Sequence, residues 1–178
     1  MTPQDLVHLI KNEFHYWTLF HFSDRSNWDT INQYGILSKK GLEDLGIVPS
    51  HPGGDQNSRE SDRKNGIYDF VSLSFTPQHP MAHCCREDGR HPNQIWISID
   101  PDVLLTPETR IAMGLANAHE TRILDLPDGV NELDTEIWRK NHGLPFLEIK
   151  HRVDAMKKVE ILIPKTVTRK SIVDYRIV

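Results

Sequence analysis

The sequence predicts a single α+β domain built from many short, mostly antiparallel strands. Apolar residues at helical spacing are concentrated early in the chain, while four stretches alternate apolar and polar residues with the period of two that marks a half-buried strand. No internal repeat, low-complexity tract or linker divides the 178 residues, so one unit spanning residues 1–178 is expected. Early helices with scattered strands after them fit α+β better than a strict alternation of the two.

The elements follow in chain order. Thr2-Pro3 with Asp5 is a helix start, a capping Thr and an acid three residues on, and Leu6, Leu9, Ile10 and Phe14 continue at helical spacing. Tyr16 to Phe22 alternates and predicts a strand with Trp17, Leu19 and His21 on one face. Trp28, Ile31 and Tyr34 fit a short helix stopped by Gly35, and a second short helix, Leu42 to Leu45, stops at Gly46. Pro49 to Gly66 lacks periodicity and is rich in Gly, Pro, Ser, Asn and charge, so a loop of functional length is expected there.

Ile67 to Phe75 predicts a strand with Val71, Leu73 and Phe75 facing one way and Ser72 and Ser74 the other. A short helix begins at Pro80. Gln94 to Ile99 is a further strand, and Arg110 to Met113 and Thr121 to Leu126 carry weaker strand patterns. Asn131 to His142, ended by Gly143, and Leu147 to Lys157 read as helices. Val159 to Ile163, closed by Pro164, and Ser171 to Val178 read as the last strands.

Composition narrows the class. Hydrophobic residues make up 38% and charged residues 26%, as in globular proteins. No apolar run approaches the roughly 20 residues of a membrane span, and the N-terminus lacks the basic and apolar regions of a signal peptide. Two adjacent cysteines cannot form a disulfide framework, so a reducing cytoplasm is the expected compartment. The net charge of −4 argues against a strong nucleic-acid binder, but Lys150 to Val178 carries eight basic and three acidic residues. That basic segment either faces phosphates or is a solvated surface.

Four groups of residues carry possible chemistry. His21, with Ser23 two residues on, is either a core histidine bonded to a carbonyl or the wall of a ligand cleft. Glu160 shares its strand with Val159, Ile161 and Ile163; it is either a solvent-side residue or an acid pointed into a cleft. His79, His83, Cys84, Cys85 and His91 have a metal-like composition but fit no standard zinc spacing, and adjacent cysteines on a helix point about 100° apart. Arg59 and Arg63 are either solvated or guanidinium forks for phosphate. Phosphate-loop, nucleophile-elbow, zinc-protease and kinase motifs are absent from the sequence.

The order of three blocks is more specific than any of these. They are LFHFSDRSNWDTINQYGILS at the start, DFVSLSFTPQHPMAH in the middle and MKKVEILIPKTV near the end. Together they resemble the DarT family of ADP-ribosyltransferases, toxins that modify bases in nucleic acid using NAD. Leu19 to Leu37 corresponds to the family's hydrophobic–His–x–Thr opening, short helix and Gly-Leu or Gly-Ile, with Ser23 in place of Thr. Phe75, Pro77, Pro80 and Met81 match its Phe-x-Pro-x-x-Pro-Met pattern. Lys157 to Pro164 matches its basic run followed by Glu in an apolar strand.

The resemblance implies the ADP-ribosyltransferase fold, two small antiparallel sheets forming a split sandwich around a central NAD cleft, with flanking helices. It implies NAD as co-substrate, no metal, and transfer of one ADP-ribose to a base in single-stranded nucleic acid, DNA favoured over RNA. It implies Glu160 and Arg63 as catalytic, and His21, Phe22, Ser23, Asn27, Gly35, Arg59, Ser72, Ser74 and Phe75 around the cofactor, with Arg59 and Arg63 as alternatives at the pyrophosphate. A monomeric toxin of a toxin–antitoxin or defence system, reversed by a macrodomain antitoxin, is the implied setting. Transfer to RNA, protein or water remains an alternative, as does a non-catalytic module binding metal or nucleic acid.

Overall fold

A computed structural model describes residues 1–54, 56–140 and 145–177. Helix α1 (Pro3–Asn12) starts in a capping box, with Asp5 N–H donating to Thr2 Oγ1 at 3.1 Å and Thr2 N–H to Asp5 Oδ2 at 2.7 Å. Strand β1 (Leu19–Asp24) follows, then α2 (Trp28–Tyr34), β2 (Ile36–Leu37), α3 (Lys39–Asp44), α4 (Gln56–Lys64), β3 (Phe70–Leu73) and α5 (Pro80–Glu87). The remainder is β4 (Gln94–Ile99), β5 (Arg110–Ala112), β6 (Ile123–Asp125), α6 (Leu126–Glu132), α7 (Phe146–Met156), β7 (Glu160–Pro164), β8 (Thr166–Val167) and β9 (Ile172–Ile177).

All strand pairs are antiparallel. They form a three-stranded sheet in the order β1-β4-β9, a four-stranded sheet in the order β3-β7-β5-β6, and the small ribbon β2-β8. The two larger sheets meet where Phe20 and Ser74 exchange backbone hydrogen bonds of 2.9 and 2.8 Å. This is the mixed architecture of small antiparallel sheets that the sequence predicts.

Side-chain alternation divides the four-stranded sheet into a core face and a cleft face. In the four-stranded sheet, Val71, Leu73, Ile111, Ile161 and Ile163 join Leu19, Ile95, Ile97 and Ile99 of the other sheet in the main core. Burying each such side chain contributes about 1.5–3 kcal/mol. The opposite face of the same strands carries Ser72, Ala112, Glu160 and Leu162, and Ala112 and Leu162 pack there with Ile67 and Ala116. Glu160 therefore points away from the core because its neighbours Val159 and Ile161 point into it.

Several boundaries differ from expectation, each for a local reason. The first strand begins at Leu19, not Tyr16, and Trp17 stays 56% exposed, because pairing with β4 starts at Leu19 opposite Ile99. The expected Pro49–Gly66 loop contains α4, whose sequence QNSRESDRK buries only Asp62 and so shows no apolar period. The helix expected over Asn131 to His142 is instead α6, which ends at Glu132, followed by a 3-10 turn at Glu136–Trp138. Its Leu-Pro-Asp-Gly start reads as a turn, yet Gly129 is a packing glycine: a Cβ there would meet Ile111 at 2.9 Å. His142 and Gly143 lie outside the described residues.

Candidate active site

The split between the two sheets opens into a cleft of about 250 Å³. β1 supplies His21, Phe22 and Ser23, β3 supplies Ser72, Ser74 follows just after it, and β7 supplies Glu160. The stretch 47–54, α3 and α4 close another side with His51, Lys39, Ser58 and Asp62, while His79 and Met81 line the side next to α5.

Glu160 is buried, 8% exposed. Ala116 N–H donates to Oε1 at 3.2 Å, and the Ser72 hydroxyl is a second donor close enough to lower the carboxyl pKa. Burial pushes the carboxyl pKa up to about 7, and these two donors offset only part of that rise. A carboxylic acid poised near neutrality in a cleft suits proton acceptance and the stabilisation of nearby positive charge.

His21 Nδ1–H donates to the carbonyl of Ser72 at 3.0 Å. In the neutral ring this leaves Nε2 as the hydrogen-bond acceptor. Burial lowers the His21 pKa and the bond to Ser72 works against that shift, so the ring stays neutral at pH values where an ordinary histidine begins to take up a proton. Ser72 thus serves both residues, its carbonyl accepting from His21 and its side chain favouring the ionised form of Glu160.

The turn after β1 fixes the neighbouring wall. Asp24 is fully buried and accepts from Ser26 N–H at 2.9 Å, the Ser26 hydroxyl at 2.7 Å and Asn93 N–H at 2.9 Å. Asn27 then donates to Ser23 Oγ at 3.2 Å and to the His51 carbonyl at 2.9 Å, tying the 47–54 stretch to the first strand. Gly35, with φ 79°, ends α2 against β8: a Cβ there would lie 2.3 Å from the Val167 carbonyl oxygen. Its role is close backbone approach, and it also lines the cleft.

Other expected site residues lie elsewhere. Phe75 sits in the main core, edge-on to Phe14 at 6.4 Å, and supports the turn from beneath. Arg63 is exposed, paired with Glu43 at 3.2 Å and laid over the Tyr68 ring at 4.0 Å. Arg59 is half-buried one helical step from the cleft-lining face of α4 that carries Ser58 and Asp62. Among the described residues, the lysine or arginine that lines the cleft is Lys39, paired with Asp62. Ser38 places it by capping α3, accepting from Gly41 N–H at 3.0 Å and donating to Asp69 at 2.8 Å. Only the capping Ser marks Lys39 in sequence.

The His/Cys run separates in space. His79 caps α5 and faces Glu160, with Nε2 3.6 Å from Oε1. His83 is exposed beside Arg86, Cys84 is exposed, and Cys85 is buried with its thiol on the Gly53 carbonyl at 3.2 Å. His91 is buried against Phe22 at 5.7 Å between ring centroids. Among the described residues, no group of three or more His, Cys, Asp or Glu is placed to hold a metal ion. Among them too, no helix is long and apolar enough to cross a membrane.

Against known proteins, residues 20–177 match the family model described as "DarT: ssDNA thymidine ADP-ribosyltransferase, DarT". No curated protein sequence matches. Among solved structures, Thermosipho africanus DarTG in complex with ADP-ribose superposes with a TM-score of 0.67 at 21% identity, covering 90% of this chain and 43% of that one. Thermus sp. 2.9 DarT in complex with ADP-ribosylated ssDNA gives 0.64 at 14% identity, covering 89% and 80%. The same Thermus protein in complex with NAD+ gives 0.57 at 13% identity, with the same coverage. At these identities the structural likeness establishes the fold, and the chain spans less than half of the Thermosipho chain.

Proposed function

Since the chain belongs to the DarT family of ssDNA thymidine ADP-ribosyltransferases, we propose that it cleaves NAD+ and transfers ADP-ribose to a thymidine base in single-stranded DNA. The observation that carries this reading is the placement of Glu160: a buried carboxyl, poised near neutrality, on the cleft face of β7 and joined through Ser72 to His21. That the solved relatives were captured with NAD+ and with ADP-ribosylated ssDNA supports the same substrates here.

The chemistry follows from charge. The bond between nicotinamide and the ribose C1′ breaks, and nicotinamide leaves with the bonding electrons. The ribose becomes cationic as it separates, and the Glu160 carboxylate stabilises that charge. Preorganised electrostatic help of this kind is worth about 3–4 kcal/mol per group. A base nitrogen then bonds to C1′, and its proton passes to the same carboxylate. The bare Nε2 of His21 accepts from a ribose hydroxyl, and Ser23, Asn27, Ser72 and Ser74 frame the sugar. Lys39 meets the diphosphate, and Arg59 or Arg63 reaches it from the adjacent face of α4.

An unstacked base is cheaper to reach than one in a duplex, which favours a single strand as acceptor. The basic segment after Lys150 suits its phosphates. A cytoplasmic toxin reversed by a macrodomain antitoxin is the setting that fits this chemistry.

The test is incubation with NAD+ and single-stranded oligonucleotides, in DNA and RNA, each offering one of the bases, followed by mass spectrometry. The expected result is one added ADP-ribose on the thymidine DNA only, with release of nicotinamide. Nicotinamide release with every oligonucleotide unmodified would move the acceptor to water or protein.

A further inference from the structure

Among the described residues, burial leaves three polar atoms of the cleft lining without a hydrogen-bonding partner, both ring nitrogens of His91 and Nε2 of His79, and the last of these has the carboxylate as its neighbour. His79 is 4% exposed, and its Nε2 has no hydrogen bond. The ring's other nitrogen is committed: Nδ1 accepts from Met81 N–H at 3.3 Å, capping the helix that Pro80 begins. An accepting Nδ1 carries no proton, so the neutral ring carries its proton on Nε2. That N–H faces Glu160 Oε1 across 3.6 Å, and Phe22 lies nearly parallel to the ring, 22° off with centroids 6.1 Å apart, which fixes its plane. The separation is too long for a good hydrogen bond to an uncharged acid. It closes with a small movement once the acid ionises, because a charged acceptor draws a shorter bond.

We propose that His79 is a positioning residue, a neutral Nε2–H donor that holds the ionised Glu160 in its reactive orientation. The proposal rests on the reading of Glu160 as the catalytic carboxylate. Burial lowers the His79 pKa to about 4, so the ring is a donor at neutral pH and neither a competing base nor a second cation. With Ser72 and the Ala116 N–H it supplies the third donor to a group whose ionisation burial opposes. The other titratable groups facing this pair are few. Asp62 of α4 raises the Glu160 pKa and Lys39 of α3 lowers it, His21 lies on β1, and His91 touches the far side of the Phe22 ring.

Two substitutions separate capping from donation. His79→Asn keeps a strong helix cap but is too short to reach Glu160. His79→Gln keeps a donor near the Nε2 position. In the full chain, the Glu160 carboxyl carbon is followed by NMR as a function of pH, alongside the pH dependence of NAD+ turnover. The expected result for His79→Asn is an unchanged melting temperature, a Glu160 midpoint raised by about one pH unit, a fall of about fivefold in kcat at pH 7 and an unchanged KM for NAD+. His79→Gln brings the midpoint back toward that of the unsubstituted protein. An identical Glu160 midpoint in the unsubstituted protein and folded His79→Asn overturns the proposal. If instead the midpoint moves but no protein consumes NAD+, the contact stands and the assignment of Glu160 to catalysis is what fails.

Discussion

The Ser72 hydroxyl is a donor close enough to the Glu160 carboxylate, across the β3–β7 strand pair, to favour its ionised form. A donor to a carboxylate favours its ionised form, and such bonds are worth about 1.5–3 kcal/mol, or roughly one to two pH units. Ser72→Ala therefore raises the ascending midpoint of the kcat/KM profile from near 7 toward 8 or beyond. The backbone carbonyl that holds His21 remains, so the orientation of that ring is kept. A profile that coincides with that of the unsubstituted protein would remove Ser72 from the electrostatics of the site.

Glu160→Gln should lower transfer by about two to three orders of magnitude while leaving the fold intact. Its effect on stability has the opposite sign and depends on pH. The folded carboxyl ionises near 7, above its ordinary value of 4.5, so the unfolded chain releases this proton first as pH rises. Stability falls between those values and stays reduced above them. Calorimetry should find Glu160→Gln more stable than the unsubstituted protein at pH 8 and no more stable at pH 4. Comparing both proteins at the same pH cancels the contributions of the buried histidines.

Among the described residues, Lys39 is the lysine or arginine lining the cleft, whereas Arg63 is held outside by Glu43 and Tyr68. Lys39→Ala should weaken NAD+ binding about tenfold by calorimetric titration, consistent with the loss of one charge-assisted contact. Arg59→Ala and Arg63→Ala, measured in parallel, identify the second phosphate ligand as whichever shows a comparable loss. Undiminished affinity in all three variants would eliminate this cationic wall.

Gly35→Ala tests the close approach of α2 to β8. A methyl group would meet the Val167 carbonyl oxygen at 2.3 Å, at a φ of 79° that disfavours any side chain. A cost of about 3 kcal/mol lowers the melting temperature of a chain this size by on the order of 10 °C. An unaltered melting temperature would show that this turn is free to rearrange.

The strands were legible where burial on one face wrote a period of two, as in Ile95, Ile97 and Ile99 or in Ile161 and Ile163. The same alternation put Glu160 and Ser72 on the opposite face, which is why the chemical side of the cleft could be read before its shape. Helix α4 was not legible, because a surface helix that buries only Asp62 leaves no apolar trace. Lys39 and His79 reach the site through caps, one beside Ser38 and one as the cap itself, and a cap tells where a helix starts but not what its neighbour touches. Arg59 and Arg63 fall in a segment whose composition predicts a loop; as residues of α4, they are turned by its pitch onto the adjacent face.

The Phe20–Ser74 exchange and the alternation along β7 make the placement of the acid a matter of strand register. A slip of one residue would drive Glu160 into the hydrocarbon interior and present Ile161 to the sugar. Interior packing and chemical competence are thus secured by the same few residues. Substitutions that loosen the isoleucine layer should silence the enzyme at denaturant concentrations where circular dichroism still reports a native chain.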